Sequence, residues 1–168
     1  MKRTTAGWLI AGAAAVTFFF VRSQIAQAAQ DWEVTTILGR LLPYNTIIIH
    51  HSARNMLDEN LVKAIIWRES SGFPNVSRWE PPLQCYSYGL IGITYTTALQ
   101  MGFTGNPGGL FDPDTNVGYG TDYLRCQLDR YSEDVRKAVS AYNAGTYTEV
   151  NKAYVDRVLE YFSRLEKA

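Results

Sequence analysis

Glu69 follows Leu61, Val62, Ile65 and Ile66, which take the i, i+3, i+4 spacing of one helix face, and one further turn of that stripe lands on the carboxylate itself. An ionised carboxylate on a face meant for burial is costly unless it is paired or hydrogen-bonded. Apolar surroundings and the negative end of a helix dipole both raise a carboxyl pKa. A glutamic acid kept neutral in this way can donate a proton to a leaving oxygen. The plainer alternative is a glutamate that snorkels outward or pairs with Arg68 or a distant base, and spacing alone leaves both readings open.

The elements that must position Glu69 read as helices. Its own helix starts near Asp58, a good cap, and stops by Gly72. Before it, residues 31–42 (DWEVTTILGRLL) form a helix candidate stopped by Pro43, and YNTIIIHHSARNM is either a β-branched strand or a helix. After it comes FPNVSRWEPPLQCYSYGLIGI, with three prolines and no clean period, which predicts a long irregular insert. TTALQMG reads as a short helix. Asp112-Pro113 starts a longer one carrying Val117, Leu124, Leu128 and Tyr131 inward. The next helix is expected from Ser132, with Val135, Ala138, Val139 and Tyr142 on one face and Gly145 as its stop. The last runs from about Thr148, with Val150, Tyr154, Val158, Phe162 and Leu165 as its stripe.

Composition bounds the function. The chain of 168 residues has 46% apolar and 19% charged residues, a globular balance sufficient for one core. Its 11 tyrosines suit a cleft that stacks on sugars and equally suit a core. Residues 1–28 read as a separate segment: Lys2 and Arg3, an apolar run over 6–21, then Ala26-Gln27-Ala28, the pattern of a secretory signal peptide. With Arg22 just beyond the run, an uncleaved anchor that attaches the domain to the membrane through residues 6–21 is the alternative. Either way residues 29–168 form an exported domain, periplasmic or held at the outer face of the inner membrane. Without the segment, 13 basic residues face 16 acidic ones, and no Lys/Arg cluster is left to follow a phosphate backbone, which argues against nucleic acid. Cys85 and Cys126 permit a disulfide in an exported protein, or are two buried thiols. No metal site is expected, since His50 and His51 are adjacent and no C-x-x-C or H-x-x-x-H spacing occurs.

A set of motifs in order then narrows the reading. AIIWRESSG resembles the glutamate-serine motif of the soluble lytic transglycosylase (SLT) domain family, lysozyme-like enzymes that cut peptidoglycan. SYGLIGIT resembles the family's glycine-leucine-methionine-glutamine stretch, AVSAYNAG follows LFDPDTNVGYGTDYL in the expected order, and YVDRVL resembles the closing tyrosine-valine element. The resemblance spans roughly Tyr44 to Phe162. It implies a mainly α, lysozyme-like helical domain with an irregular loop insert after the catalytic helix. It makes Glu69 the single catalytic acid/base and Ser70, Glu80, Gly89, Leu90, Tyr142 and Asn143 the substrate-binding set, with no cofactor and with peptidoglycan glycan strands as the partner. Gly89 and Leu90 would place backbone against a sugar ring. Tyr142 would sit near the Glu69 carboxyl or the acetamido group, although it also fits its own helix stripe. The chain departs from the family at Gly92, where the family has glutamine. Glu80 of SRWEPP would bind sugar hydroxyls or tune Glu69 through like charge, or is a loop charge in water.

The implied reaction follows from a missing group. Most glycosidases place two carboxylates about the scissile bond, whereas one suffices when the substrate's own 2-acetamido oxygen is the nucleophile. The resemblance thus implies cleavage of the MurNAc–GlcNAc β-1,4 bond to a 1,6-anhydro-muramyl end. A hydrolytic muramidase on the same fold and a non-catalytic wall-binding module are the alternatives.

Overall fold

The computed structural model describes the backbone from residue 6 onward and side chains from residue 21 onward. The leader reading falls largely on residues whose side chains lie outside this description. From residue 6 onward the backbone belongs to helix α1, Ala6–Leu41, which continues through Ala26-Gln27-Ala28. Among the described residues no helix is long and apolar enough to cross a membrane. The chain divides into two units, residues 1–36 and 37–168. In the first, Gln27 donates to Asp31 one helical turn away at 2.8 Å.

The second unit contains the end of α1, then α2 (Asn45–Arg54), α3 (Glu59–Ser70), strands β1 (Ser77–Glu80), β2 (Cys85–Tyr88) and β3 (Ile93–Thr94), and helices α4 (Tyr95–Gln100), α5 (Pro113–Arg130), α6 (Val135–Ala144) and α7 (Lys152–Leu165). A 3-10 turn at Leu42–Tyr44 carries Pro43, so the proline ends α1 as expected. The ambiguous YNTIIIHHSARNM is helical, as α2, because Ile48 is fully buried on one side while Ile49 is exposed. The lysozyme-like, mainly α fold read from the sequence is the one observed.

Helix starts follow side-chain caps. Asp58 accepts from the Asn60 amide at 2.8 Å and opens α3, and Asp112 accepts from Thr115 at 2.9 Å and opens α5 ahead of Pro113. Helix α6 begins three residues later than expected. Ser132 and Glu133 lie at φ 52° and 65°, in the left-handed region, so Asp134 becomes the cap and accepts from Lys137 at 3.0 Å. Helix α7 likewise begins at Lys152, not near Thr148, and Val150 is 93% exposed, outside the stripe assigned to it.

The core is built from Ile48, Val62, Ile65, Ile66, Leu90, Leu124, Val139 and Val158, all fully buried. Helix α3 packs against α7, and α5 against α2 and α6. The insert expected to be irregular is a three-stranded antiparallel sheet in the order β1-β2-β3, with Trp79 opposite Tyr86 and Glu80 opposite Cys85. Pro81 and Pro82 close its first hairpin, where the Leu83 amide donates to the Glu80 carbonyl at 3.0 Å.

The disulfide left open by the sequence is not formed, and the pair are not two buried thiols either: both cysteines are free, Cys85 half-buried in β2 beside Thr94 and Cys126 exposed on α5. The α5 stripe that buries Leu124 and Leu128 turns Cys126 outward, so its thiol faces solvent.

Candidate active site

Strand alternation gives the small sheet two unlike faces. Ser77, Trp79, Tyr86 and Tyr88 share one, with the Trp79 and Tyr86 rings 5.1 Å apart at 62° and both about half exposed. Arg78, Glu80, Cys85 and Ser87 share the other, and this polar face turns toward the end of α3. Glu80, Cys85 and Ser87 there line a cleft of about 360 Å³ together with Glu69, Gly92 and Asn143.

Glu69 stands in the wall of that cleft. Its side chain is 3% exposed, in the last turn of α3. Oε1 accepts from the Tyr154 hydroxyl of α7 at 2.6 Å, and Oε2 accepts from the Arg78 guanidinium of β1 at 2.5 Å. Burial raises the Glu69 pKa above its ordinary value. The Tyr154 hydrogen bond, the Arg78 charge and hydrogen bond, and the Arg68 charge pull the other way without cancelling it. Burial likewise pushes the Tyr154 and Tyr142 phenols well above their usual range, so both are neutral donors. Arg68 stacks over the Tyr154 ring at 5.1 Å, behind the hydroxyl that meets Glu69.

The turn between β2 and β3 contributes Gly92 to the wall of the cleft. Asn116 of α5, fully buried, holds that turn from beneath. Its Oδ1 accepts from the Ile91 amide at 2.8 Å, and its Nδ2 donates to the Tyr88 carbonyl at 2.8 Å and the Leu110 carbonyl at 2.9 Å. Tyr142 of α6 reaches the same turn and donates to the Ile91 carbonyl at 2.8 Å, so its hydroxyl braces the wall while its ring lines the cleft. Asn143 beside it accepts from Asn151 at 3.2 Å.

The structure therefore brings together Glu69, Glu80, Tyr142 and Asn143 of the residues expected from sequence. It turns the other three away from the cleft. Ser70, the last residue of α3, is buried, and its hydroxyl donates to the Ile66 carbonyl at 3.1 Å and accepts from the Gly72 amide at 3.1 Å. Leu90 is core. Gly89 is small for an internal reason: a Cβ there would stand 2.4 Å from the Asn116 amide nitrogen and 2.6 Å from the Leu110 carbonyl oxygen.

Three residues of the site were missed in the sequence. Arg78 sits two positions before Glu80, a period-2 pairing that puts both on one strand face. Asn116 is a polar residue on the apolar stripe of α5. Tyr154 was placed in the α7 stripe, and the stripe's neighbour across the core is α3. Among the described residues, no group of three or more His, Cys, Asp or Glu is arranged to hold a metal ion.

This fold defines a lysozyme-like, mainly α domain with a polar cleft at the end of α3, and comparison with known proteins gives its family. The transglycosylase SLT domain family matches residues 46–157. The chain belongs to that family. It is 32% identical over 118 residues to the transglycosylase of Enterobacteria phage PRD1, covering 68% of this chain and 41% of that protein. It is 29% identical over 146 residues to the soluble lytic murein transglycosylase of Escherichia coli K12, covering 74% of this chain and 22% of that protein. The chain thus spans well under half the length of these relatives. The crystal structure of the 70 kDa soluble lytic transglycosylase of Escherichia coli superposes with a TM-score of 0.64 at 21% identity, covering 87% of this chain and 29% of that one, a likeness of fold.

Proposed function

We propose that this chain is a peptidoglycan lytic transglycosylase that uses Glu69 as both acid and base. The observation that carries the reading is the Glu69 carboxyl: desolvated at the cleft, raised in pKa, and oriented by Tyr154. The name of the bacterial relative, a lytic murein transglycosylase, supports the same substrate class, and that of the phage relative, a transglycosylase, the same kind of reaction. Glu69 as the neutral acid gives its proton to the glycosidic oxygen between MurNAc and GlcNAc, and the substrate's acetamido oxygen closes on C1 as the bond breaks. The carboxylate left behind takes the proton of the C6 hydroxyl as that oxygen displaces the acetamido group. The product is a 1,6-anhydro-muramyl end and no water is consumed. Tyr142 and Asn143 flank the sugar, Tyr142 through its ring and Asn143 through its amide. Export through residues 1–28, cleaved or retained as an anchor, belongs to the same proposal and is supported by the composition of that segment.

Mass analysis of muropeptides released from purified peptidoglycan by the whole chain, beside Glu69→Gln, tests the reading. Anhydro-muramyl ends from the wild type, falling about 10²- to 10⁴-fold or more with Glu69→Gln, are expected. Products one water heavier would replace this reading with hydrolysis and give Glu80, the other carboxylate of the cleft, the water-activating role. An absence of products from folded wild type would leave a wall-binding domain.

A further inference from the structure

We propose that Arg78 is a positioning residue that governs when Glu69 can act as an acid: tethered by Glu80, it covers one oxygen of Glu69 in the free protein and is displaced when a sugar occupies the cleft. The inference rests on the role of Glu69 proposed above.

The argument begins with donors and acceptors. Both oxygens of Glu69 receive hydrogen bonds, Oε1 from Tyr154 and Oε2 from Arg78. A guanidinium has donors and no acceptor. A proton on Oε2 would face another donor, whereas one on Oε1 only turns the Tyr154 hydroxyl from donor to acceptor. The arrangement in the free protein is therefore that of a carboxylate held by Arg78, and the acid form forfeits that ion pair, so it is favoured when a donor withdraws.

The surroundings decide which one. Tyr154 is 7% exposed, set in α7 against α3 with Arg68 stacked on its ring, so it has nowhere to go. The Arg78 side chain is 43% exposed, on a four-residue strand at the edge of the small sheet. Its Nε donates to Glu80 Oε1 at 2.9 Å, and the same Glu80 oxygen accepts from the buried Ser87 hydroxyl at 2.9 Å. Glu80 is thus a fixed post for the guanidinium. When Arg78 leaves Glu69 it keeps a carboxylate partner and is not stranded without a counter-charge.

The groups facing Glu69 are then accounted for from every side: Arg68 on α3, Arg78 and Glu80 on β1, Tyr142 on α6 and Tyr154 on α7. Of these, Arg78 alone combines a full charge on the carboxyl with freedom to move. Its withdrawal leaves Glu69 in its dry wall without its counter-ion, and the carboxylate takes up one proton from solvent. Substrate binding is accordingly coupled to proton uptake, with the Arg78–Glu80 pair remaining neutral overall.

The test is the Glu69 side-chain carboxyl followed by 13C NMR across pH in wild type, Arg78→Gln and Arg78→Lys, joined to pH profiles of kcat/KM and kcat on soluble, uncross-linked glycan chains. In the free protein, Arg78→Gln is expected to raise the Glu69 midpoint, and Arg78→Lys to recover part of the shift by restoring charge without the planar fork. The basic limb of kcat/KM, which reports the free protein, moves to higher pH in Arg78→Gln, whereas the limb of kcat, which reports the complex, stays in place. A merely structural Arg78 would move neither limb. An unchanged NMR midpoint in both variants would overturn the inference, and so would a kcat limb that shifts as far as that of kcat/KM, since Arg78 would then remain on Glu69 through the reaction. Wild type without turnover would instead sink the role of Glu69, and the displacement step with it, while the free-protein midpoints would still report the ion pair.

Discussion

Gly92 and Glu69 are in such close contact that a Cβ at Gly92 would stand 2.8 Å from Glu69 Oε2 and 2.9 Å from its Cγ. Gly92 also lies at φ +68°, where a side chain is strained by roughly 1–2 kcal/mol. The position that carries glutamine in the family motif thus has no room for one here unless Glu69 moves, and the carboxylate oxygen it would crowd is the one that accepts from Arg78.

Restoring the family residue is therefore expected to harm this protein. Gly92→Gln and Gly92→Ala should both push the Glu69 carboxyl out of place and lower glycan cleavage about 10²-fold, a loss typical of a displaced catalytic group. Circular dichroism would show the helical fold retained. Higher activity in Gly92→Gln would mean that the turn relaxes easily.

Removing the Tyr154 hydroxyl separates stability from acidity. Tyr154→Phe should destabilise by about 1.5–3 kcal/mol, the range for a hydrogen bond to a charged group, measured by denaturant unfolding. That bond favours the ionised carboxylate, so its loss raises the Glu69 pKa further and moves the basic limb of activity to higher pH.

Glu69 should also leave a mark on stability against pH. Its folded pKa is raised above the value of 4.5 for a free carboxyl, so the folded chain binds more protons than the unfolded one between the two values. The stability linked to this group is complete below the unfolded pKa and is lost as pH rises through the folded one. Each unit of raise is worth about 1.4 kcal/mol. The difference in melting temperature between Glu69→Gln and wild type should shift in favour of the variant from pH 4 to pH 7. A difference independent of pH would show that Glu69 titrates as an ordinary carboxyl.

Asn116 is the polar residue whose loss should be felt most. Asn116→Ala leaves the Ile91 amide and the Tyr88 and Leu110 carbonyls without their buried partner, at roughly 1–3 kcal/mol per unsatisfied group. We expect at least about 3 kcal/mol of destabilisation by thermal or chemical unfolding. Asn116→Asp keeps the acceptor for Ile91 and loses both donors, so it should not rescue.

The helical frame was legible because local chemistry governs it. Asp58 and Asp112 cap where their side chains predict, and the α3 stripe that carries Glu69 is periodic enough to read. Local chemistry misled where a left-handed turn at Ser132 and Glu133 delayed α6, since nothing in either residue type demands φ above zero. The sheet was hidden because its strands are two to four residues long, too short for alternation to stand out beside three prolines. With the sheet unseen, Arg78 and Glu80 could not be placed on one face. Asn116 and Tyr154 were hidden for another reason: each acts on a backbone or carboxylate brought to it by tertiary packing, which no window of sequence contains.

Tyr154 follows Glu69 by 85 positions in the chain, in the last helix. A polypeptide emerging amino terminus first presents the acid long before the hydroxyl that clasps it exists. A nascent chain that has reached α6 holds α3, the sheet and its arginine, yet lacks the inner half of the carboxyl's clamp. The order of translation thereby acts as a safety catch: the buried carboxyl gains its inner hydrogen bond only once the ribosome has delivered α7.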